Sequence, residues 1–172
     1  MEKECWLPCL EFLENYNNDW KVYESALYKI FTADFIDSKP TFEGKQINIR
    51  KYPFEYNREE AYFHVTCKDY TKNRNRAPDF RRCERIRWIR SFIENYKCDP
   101  IDCPDCDGIK VWEELRGTCK NVLLLLEEER YLVIIECRKK YCLLTTAFYL
   151  EEDHELEKRL KRYAAYRQEK SL

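Results

Sequence analysis

Three apolar runs packed into residues 121–148 constrain the fold of this chain more than any other feature. NVLLLL (121–126), YLVIIE (131–136) and YCLLTTAF (141–148) are separated only by EEER and CRKK. Connections this short join neighbouring strands only as antiparallel hairpins, because a parallel pair needs a long crossover. The expectation is an antiparallel meander over residues 120–149. Since the runs are almost continuously apolar, much of both sheet faces must be covered, with helices on one side and polar strand ends at the other.

The rest of the chain supplies those helices. Residues 1–38 read as helical: Trp20, Tyr23, Leu27, Ile30 and Phe31 recur at helical spacing over 19–33, with Asp19 as an N-cap. Residues 40–97 combine a turn at Gly44, a strand through Ile47 and Ile49, and a second short strand over 61–67 that carries His64. An arginine-rich helix capped by Asp79 follows. Its buried stripe is Ile86, Ile89, Ile93 and Tyr96, with Arg81, Arg85 and Trp88 on another side and the arginines facing outward. Residues 98–119 form a cysteine-rich loop with a short helical turn around Val111 to Leu115. Residues 150–172 form a final charged helix whose contact face is Leu156, Leu160, Tyr163 and Tyr166. The expected class is α+β, with N-terminal helices packed on a curved C-terminal antiparallel sheet and one helix after it. At 172 residues the chain suits a single packed core and is short for two ordinary domains.

Charge is distributed unevenly. The net charge is −1, yet Lys68 to Arg90 holds nine Lys or Arg against three Asp or Glu. Such a basic island attracts phosphate whatever the total charge. The first 38 residues run the other way, with eight acids against three bases. The aliphatic runs are far shorter than a bilayer span, and Met1 is followed by Glu2, Lys3 and Glu4, so the expectation is a cytoplasmic protein with no membrane partner. Ten cysteines without a signal peptide read as reduced thiols or metal ligands. Cys83, Cys137 and Cys142 fall in apolar periodic segments and read as core filler. Cys98, Cys103 and Cys106 crowd the loop CDPIDCPDC, and with Cys119 they could assemble a structural zinc from four thiolates. Unliganded loop thiols are the competing reading.

The ending LVIIECRKKYCLLTTAFYL, behind an upstream histidine and an arginine-rich helix, resembles the phage and toxin ribonucleases of the barnase, EndoU, colicin and RelE-like superfamily. The likeness covers residues 63–172, and its motif is Tyr-x-Leu-Leu-x-Thr-Ala-Phe at Tyr141 to Phe148. It implies helices on a curved antiparallel sheet with the active site on the open face. It also implies a metal-independent endoribonuclease that needs no cofactor, has RNA as its partner, and answers to an antitoxin or immunity protein. The late-strand hydroxyl that such proteins turn toward the scissile phosphate falls on Thr146, with Thr145 on the opposite face.

The residues here suit that chemistry. Cleavage through 2′-hydroxyl attack requires a base, a cation on the pentacovalent phosphate and a proton for the leaving 5′-oxygen, and it leaves a 2′,3′-cyclic phosphate. Of two histidines, His154 sits in the acidic EEDHELEK, so His64 is the candidate base. Arg82 and Arg85, about one turn apart, are the favoured phosphate ligands, with Arg76 reaching from the loop. Lys68, Arg81 and Arg138 would contact the backbone, and Trp88 and Tyr149 would stack on bases. Each has a plainer reading as surface charge, core aromatic or strand former. The rival class is a non-catalytic nucleic-acid-binding or protein-binding module of a phage or mobile element, in one form a zinc-stabilised DNA-binding module using the cysteine loop and the arginine helix.

Overall fold

The computed structural model describes residues 6–69, 76–101, 103–104 and 107–172. After a short 3₁₀ turn at Leu13–Tyr16, helix α1 spans Trp20–Thr32 and runs on into a π-helical turn at Ala33–Asp37. The Asp19 carboxylate caps α1 by accepting from the backbone N–H groups of Lys21 and Val22. Strands β1 (Thr41–Phe42) and β2 (Lys45–Ile49) form a tight hairpin whose turn holds Glu43 and Gly44 at positive φ, a geometry glycine adopts without strain. Next come α2 (Glu60–Thr66), the strand pair β3 (Cys67–Asp69) and β4 (Arg76–Pro78), and two helices, α3 (Phe80–Glu84) and α4 (Ile86–Glu94). Asp79 caps α3 as expected, accepting from the N–H of Arg82.

The meander has four strands: β5 (Lys110–Arg116), β6 (Cys119–Leu126), β7 (Tyr131–Cys137) and β8 (Cys142–Tyr149), with α5 (Asp153–Lys170) behind them. The sheet order is β1-β2-β8-β7-β6-β5. All neighbours are antiparallel except β2 and β8, which run parallel in the register Ile47↔Cys142 to Ile49↔Leu144. The protein is thus α+β, with helices first, an antiparallel-dominated sheet, and a helix last.

Strand alternation divides the sheet into two buried faces. Val122, Leu124, Leu126, Val133, Ile135, Cys142, Leu144 and Ala147 join Tyr23, Leu27, Phe31, Ile86, Ile89, Phe92 and Ile93 in the main core under α1 and α4. Fully burying side chains of this size stabilises by about 1.5–3 kcal/mol each. On the opposite face α5 lays Leu156, Leu160, Tyr163 and Tyr166 over Trp112, Leu123, Leu125 and Leu132. Cys83 and Cys142 are fully buried, and Cys137 sits directly across the hairpin from Cys142.

Four expectations need correction. The segment 61–67 is a helix, not a strand: Ala61 and Val65, and Tyr62 and Thr66, share a buried side at i,i+4 spacing, and that packing outweighs the strand propensity of Phe63 and Val65. Residues 111–115 belong to β5, because Val111, Trp112, Glu113, Glu114 and Leu115 pair with β6 through residues 120–124. The arginine-rich helix breaks at Arg85, whose φ of −102° and ψ of 16° leave the α region. Finally, the arginines of that segment do not all face outward, since Arg85 is only 6% exposed.

Candidate functional site

Helix α2 carries the candidate histidine and is held at both ends. At its start the N–H groups of Glu60 and Ala61 donate to the carbonyls of Lys51 and Arg50, which ties α2 to the chain leaving β2. At its end the His64 carbonyl accepts from Arg82 Nη1 at 2.7 Å and from Thr146 Oγ1 at 3.0 Å. The His64 ring points outward, with its side chain 41% exposed, and Nε2 lies 3.3 Å from the buried Glu60 carboxylate. Arg76, on β4, forms an ion pair with the same carboxylate and stacks its guanidinium 5.1 Å above the Phe63 ring.

Burial is the main influence on His64 and holds its pKa below the usual imidazole value. Glu60 opposes this, while the positive charges of Arg76 and Arg50 add to it. At neutral pH the ring is therefore neutral and able to accept a proton. Arg50, His64, Glu136, Leu143, Leu144 and Thr145 line one small recess. Arg50 and Leu143 also line an adjoining shallow groove with Asn48, Ile49, Arg138 and Tyr141. His64, Arg50 and Arg138 thus follow one another along the β2–β8 seam. The apolar partners of α5 lie elsewhere on the sheet, from Trp112 of β5 to Leu132 of β7.

The other candidates fall into three groups. Arg82, Arg85 and Thr146 are engaged within the scaffold. Arg82 is 15% exposed, lies 3.7 Å from the Asp79 carboxylate and sits over Phe148. Arg85 donates to the Arg81 carbonyl at 3.0 Å and lies over the rings of Trp88 and Tyr149. The Thr146 hydroxyl is occupied by the His64 carbonyl. Its expected orientation assumed strict alternation, but the register slips between Ile134↔Thr146 and Ile135↔Leu144, which makes Thr145 a bulged residue.

The aromatic pair is also corrected. Trp88 is 3% exposed and donates its indole N–H to the Pro8 carbonyl at 2.8 Å, so no base can reach it. Tyr149 is half-buried with Arg81 4.7 Å over its ring. Lys68 bridges Asp79 at 3.2 Å and Glu151 at 3.1 Å. Arg138 is exposed at the hairpin tip and donates to Glu136 and to the Tyr141 hydroxyl.

The four-thiolate zinc set does not assemble. Cys98 sits at the start of β5, its carbonyl accepting from Ile109 N–H, whereas Cys119 opens β6 opposite Arg116 at the far end of the same hairpin. The length of β5 separates them by roughly 20 Å. Cys103 stays with Cys98 in the loop, Cys106 lies outside the described residues, and no group of three or more His, Cys, Asp or Glu among the described residues is placed to hold a metal ion. Gly108 shapes this loop: at φ +75° a Cβ there would meet Pro100 Cδ at 2.8 Å and the Cys98 carbonyl at 2.9 Å.

Sequence reasoning missed Glu60 and Arg50. The Glu60–His64 pairing at i,i+4 becomes legible only once the segment is read as a helix. Arg50 lies outside the dense basic island and offered no signal. Compared with known proteins, no family model, curated protein or solved structure matches this chain. Its class therefore rests on the fold and this constellation: an α+β protein with a carboxylate-held imidazole beside guanidinium groups at the β2–β8 seam of its sheet. Among the described residues no helix is long and apolar enough to cross a membrane.

Proposed function

We propose that the protein is a cytoplasmic, metal-independent endoribonuclease that cleaves RNA through its own 2′-hydroxyl. The observation carrying this reading is the neutral, half-exposed His64 ring, fixed by buried Glu60 at 3.3 Å and sharing a recess with Arg50. His64 takes the 2′-hydroxyl proton as the oxygen attacks phosphorus, and Glu60 stabilises the imidazolium that results. Arg50 sets a permanent positive charge against the pentacovalent phosphate, with Arg76 behind it and Arg138 toward the next phosphate along the seam. The P–O5′ bond breaks, the leaving oxygen takes a proton from solvent, and a 2′,3′-cyclic phosphate remains. A nuclease of this kind calls for an antitoxin or immunity protein as its restraint.

The test is incubation of the protein with mixed single-stranded RNAs in EDTA, with end-group analysis of the products. Cyclic phosphate ends, with DNA of equal sequence intact, are the expected result. Binding without cleavage over a wide range of RNAs would replace this reading with the non-catalytic binding module.

A further inference from the structure

A second concavity, much larger than the recess at His64, opens on the other side of α2 between α1 and the turn at residues 55–58. It measures about 730 Å³, and Arg76 and Phe63 form part of its wall. Arg76 is therefore common to both places, since it also pairs with the Glu60 carboxylate that holds His64. Its Nη1 atom is buried and has no hydrogen-bond partner among the described residues.

Two exposed aromatic side chains stand on the walls of this cleft. Trp20 is 37% exposed at the start of α1, and Tyr56 is 87% exposed. Tyr56 is presented by a rigid device: Glu55 and Arg58 exchange both backbone hydrogen bonds, at 3.1 and 2.8 Å, across a two-residue turn with Tyr56 and Asn57 at positive φ. A large aromatic side chain in a left-handed turn position and almost wholly in solvent contributes nothing to the core, so its use lies outside the fold. On the cleft wall Arg58 grips Glu24 through Nε and Nη2 at 3.0 and 3.1 Å, and its guanidinium lies 3.9 Å over the Tyr28 ring. Tyr62 donates to the same carboxylate at 3.1 Å. Arg58 Nη1 also donates to the Asn57 carbonyl at 3.1 Å, so the pair is bonded within the fold and gives the cleft a rigid polar wall.

We infer that this cleft is a base-binding subsite for single-stranded RNA, taking the nucleotide next to the phosphate at His64. Tyr56 and Trp20 provide the stacking surfaces beside a wall stiffened by the Glu24–Arg58 pair, and Arg76 links base to phosphate. The inference rests on the ribonuclease reading for the position of the scissile bond, but the binding it describes can be measured separately. Stacking on aromatic side chains tolerates every base, so the subsite accepts any of the four.

The test uses a single-stranded RNA oligonucleotide carrying 2′-O-methyl groups, which cannot undergo 2′-hydroxyl attack, titrated into the full-length protein. Intrinsic tryptophan fluorescence should be quenched, and Trp20→Phe should remove most of that signal, because Trp88 and Trp112 are buried and Trp6 is packed edge-on against Phe92, away from the cleft lining. Tyr56→Asn suits the left-handed turn and should leave the melting temperature unchanged while weakening binding roughly five- to hundredfold. Trp20→Ala should weaken it to a similar degree. Unaltered affinity in both variants overturns the subsite, and if the wild type still cuts unmodified RNA, only the subsite falls. Affinity that depends on Tyr56 and Trp20 in a protein that cuts nothing keeps the subsite and removes the nuclease. Absence of any binding removes the cleft as an RNA site.

Discussion

Arg82 and Arg85 lie in the densest basic stretch of the sequence, whereas Arg50 and Arg138 are scattered outside it, and the structure reverses the roles that density implies. The clustered pair faces inward: Arg82 holds the last turn of α2 by its carbonyl, and Arg85 lies between the rings of Trp88 and Tyr149. The scattered pair lines one groove on the β2–β8 seam, beside His64. Basic residues close together in sequence need not act on a common ligand. A guanidinium with several carbonyls and ring faces within reach is buried among them, whereas Arg50 beyond β2 and Arg138 at the hairpin tip stay exposed, the latter beside Glu136 and Tyr141.

This contrast can be broken by substitution, and the largest effect is expected at the imidazole. His64→Ala should reduce RNA cleavage by roughly 10²- to 10⁴-fold while leaving thermal unfolding nearly unchanged, and a collapse in stability instead would make the ring structural. Arg82→Met should do the reverse, lowering stability by about 3 kcal/mol in denaturant titration through loss of the His64 and Asp79 contacts. If that variant stays stable but loses affinity for RNA, the division between the two pairs is wrong.

Arg50→Ala should spare the melting temperature and reduce the slope of log affinity against log salt by about 0.7, the share of one phosphate contact on a single strand. Thr146→Val should cost about 1 kcal/mol through loss of one hydrogen bond to the His64 carbonyl, with little effect on the chemical step at pH 7. A subtler result is expected from Glu60→Gln. The carboxylate raises the His64 pKa, so neutralising it should move the rising limb of the pH–rate profile to lower pH. The His64 pKa is already depressed on folding. The associated stability is complete above the unfolded value of about 6.5 and declines as pH falls through the folded one.

The parts of the fold that were legible in the sequence are those fixed by nearby residues. The β6–β7 and β7–β8 hairpins follow from apolar runs joined by four-residue connections, whereas the sequence of β5 reads as a loop with a helical turn; α1 and α3 follow from Asp19 and Asp79 at their caps, and α5 follows from Leu156, Leu160, Tyr163 and Tyr166 at helical spacing. What escaped depends on distant partners. Alternation in Ala61, Phe63 and Val65 favours a strand until the sheet beneath demands a helix there. β2 also carries no mark of its parallel seat beside β8. At the site, His64 was identifiable as the less exposed of two histidines by context, but Glu60 and Arg50 are its neighbours only in the folded chain. Thr146 was misassigned because a bulge at Thr145, invisible in the sequence, resets the alternation after it.

The seat of α2 has a consequence for how the protein comes into being. One wall of the recess around His64 is built from Leu143, Leu144 and Thr145, and the tether to the His64 carbonyl comes from Thr146, 82 residues further along the chain and, like the others, on β8. A nascent chain therefore carries its imidazole well before the surface that completes the recess has been made. A chain that stops short of β8 lacks both that wall and the Thr146 tether.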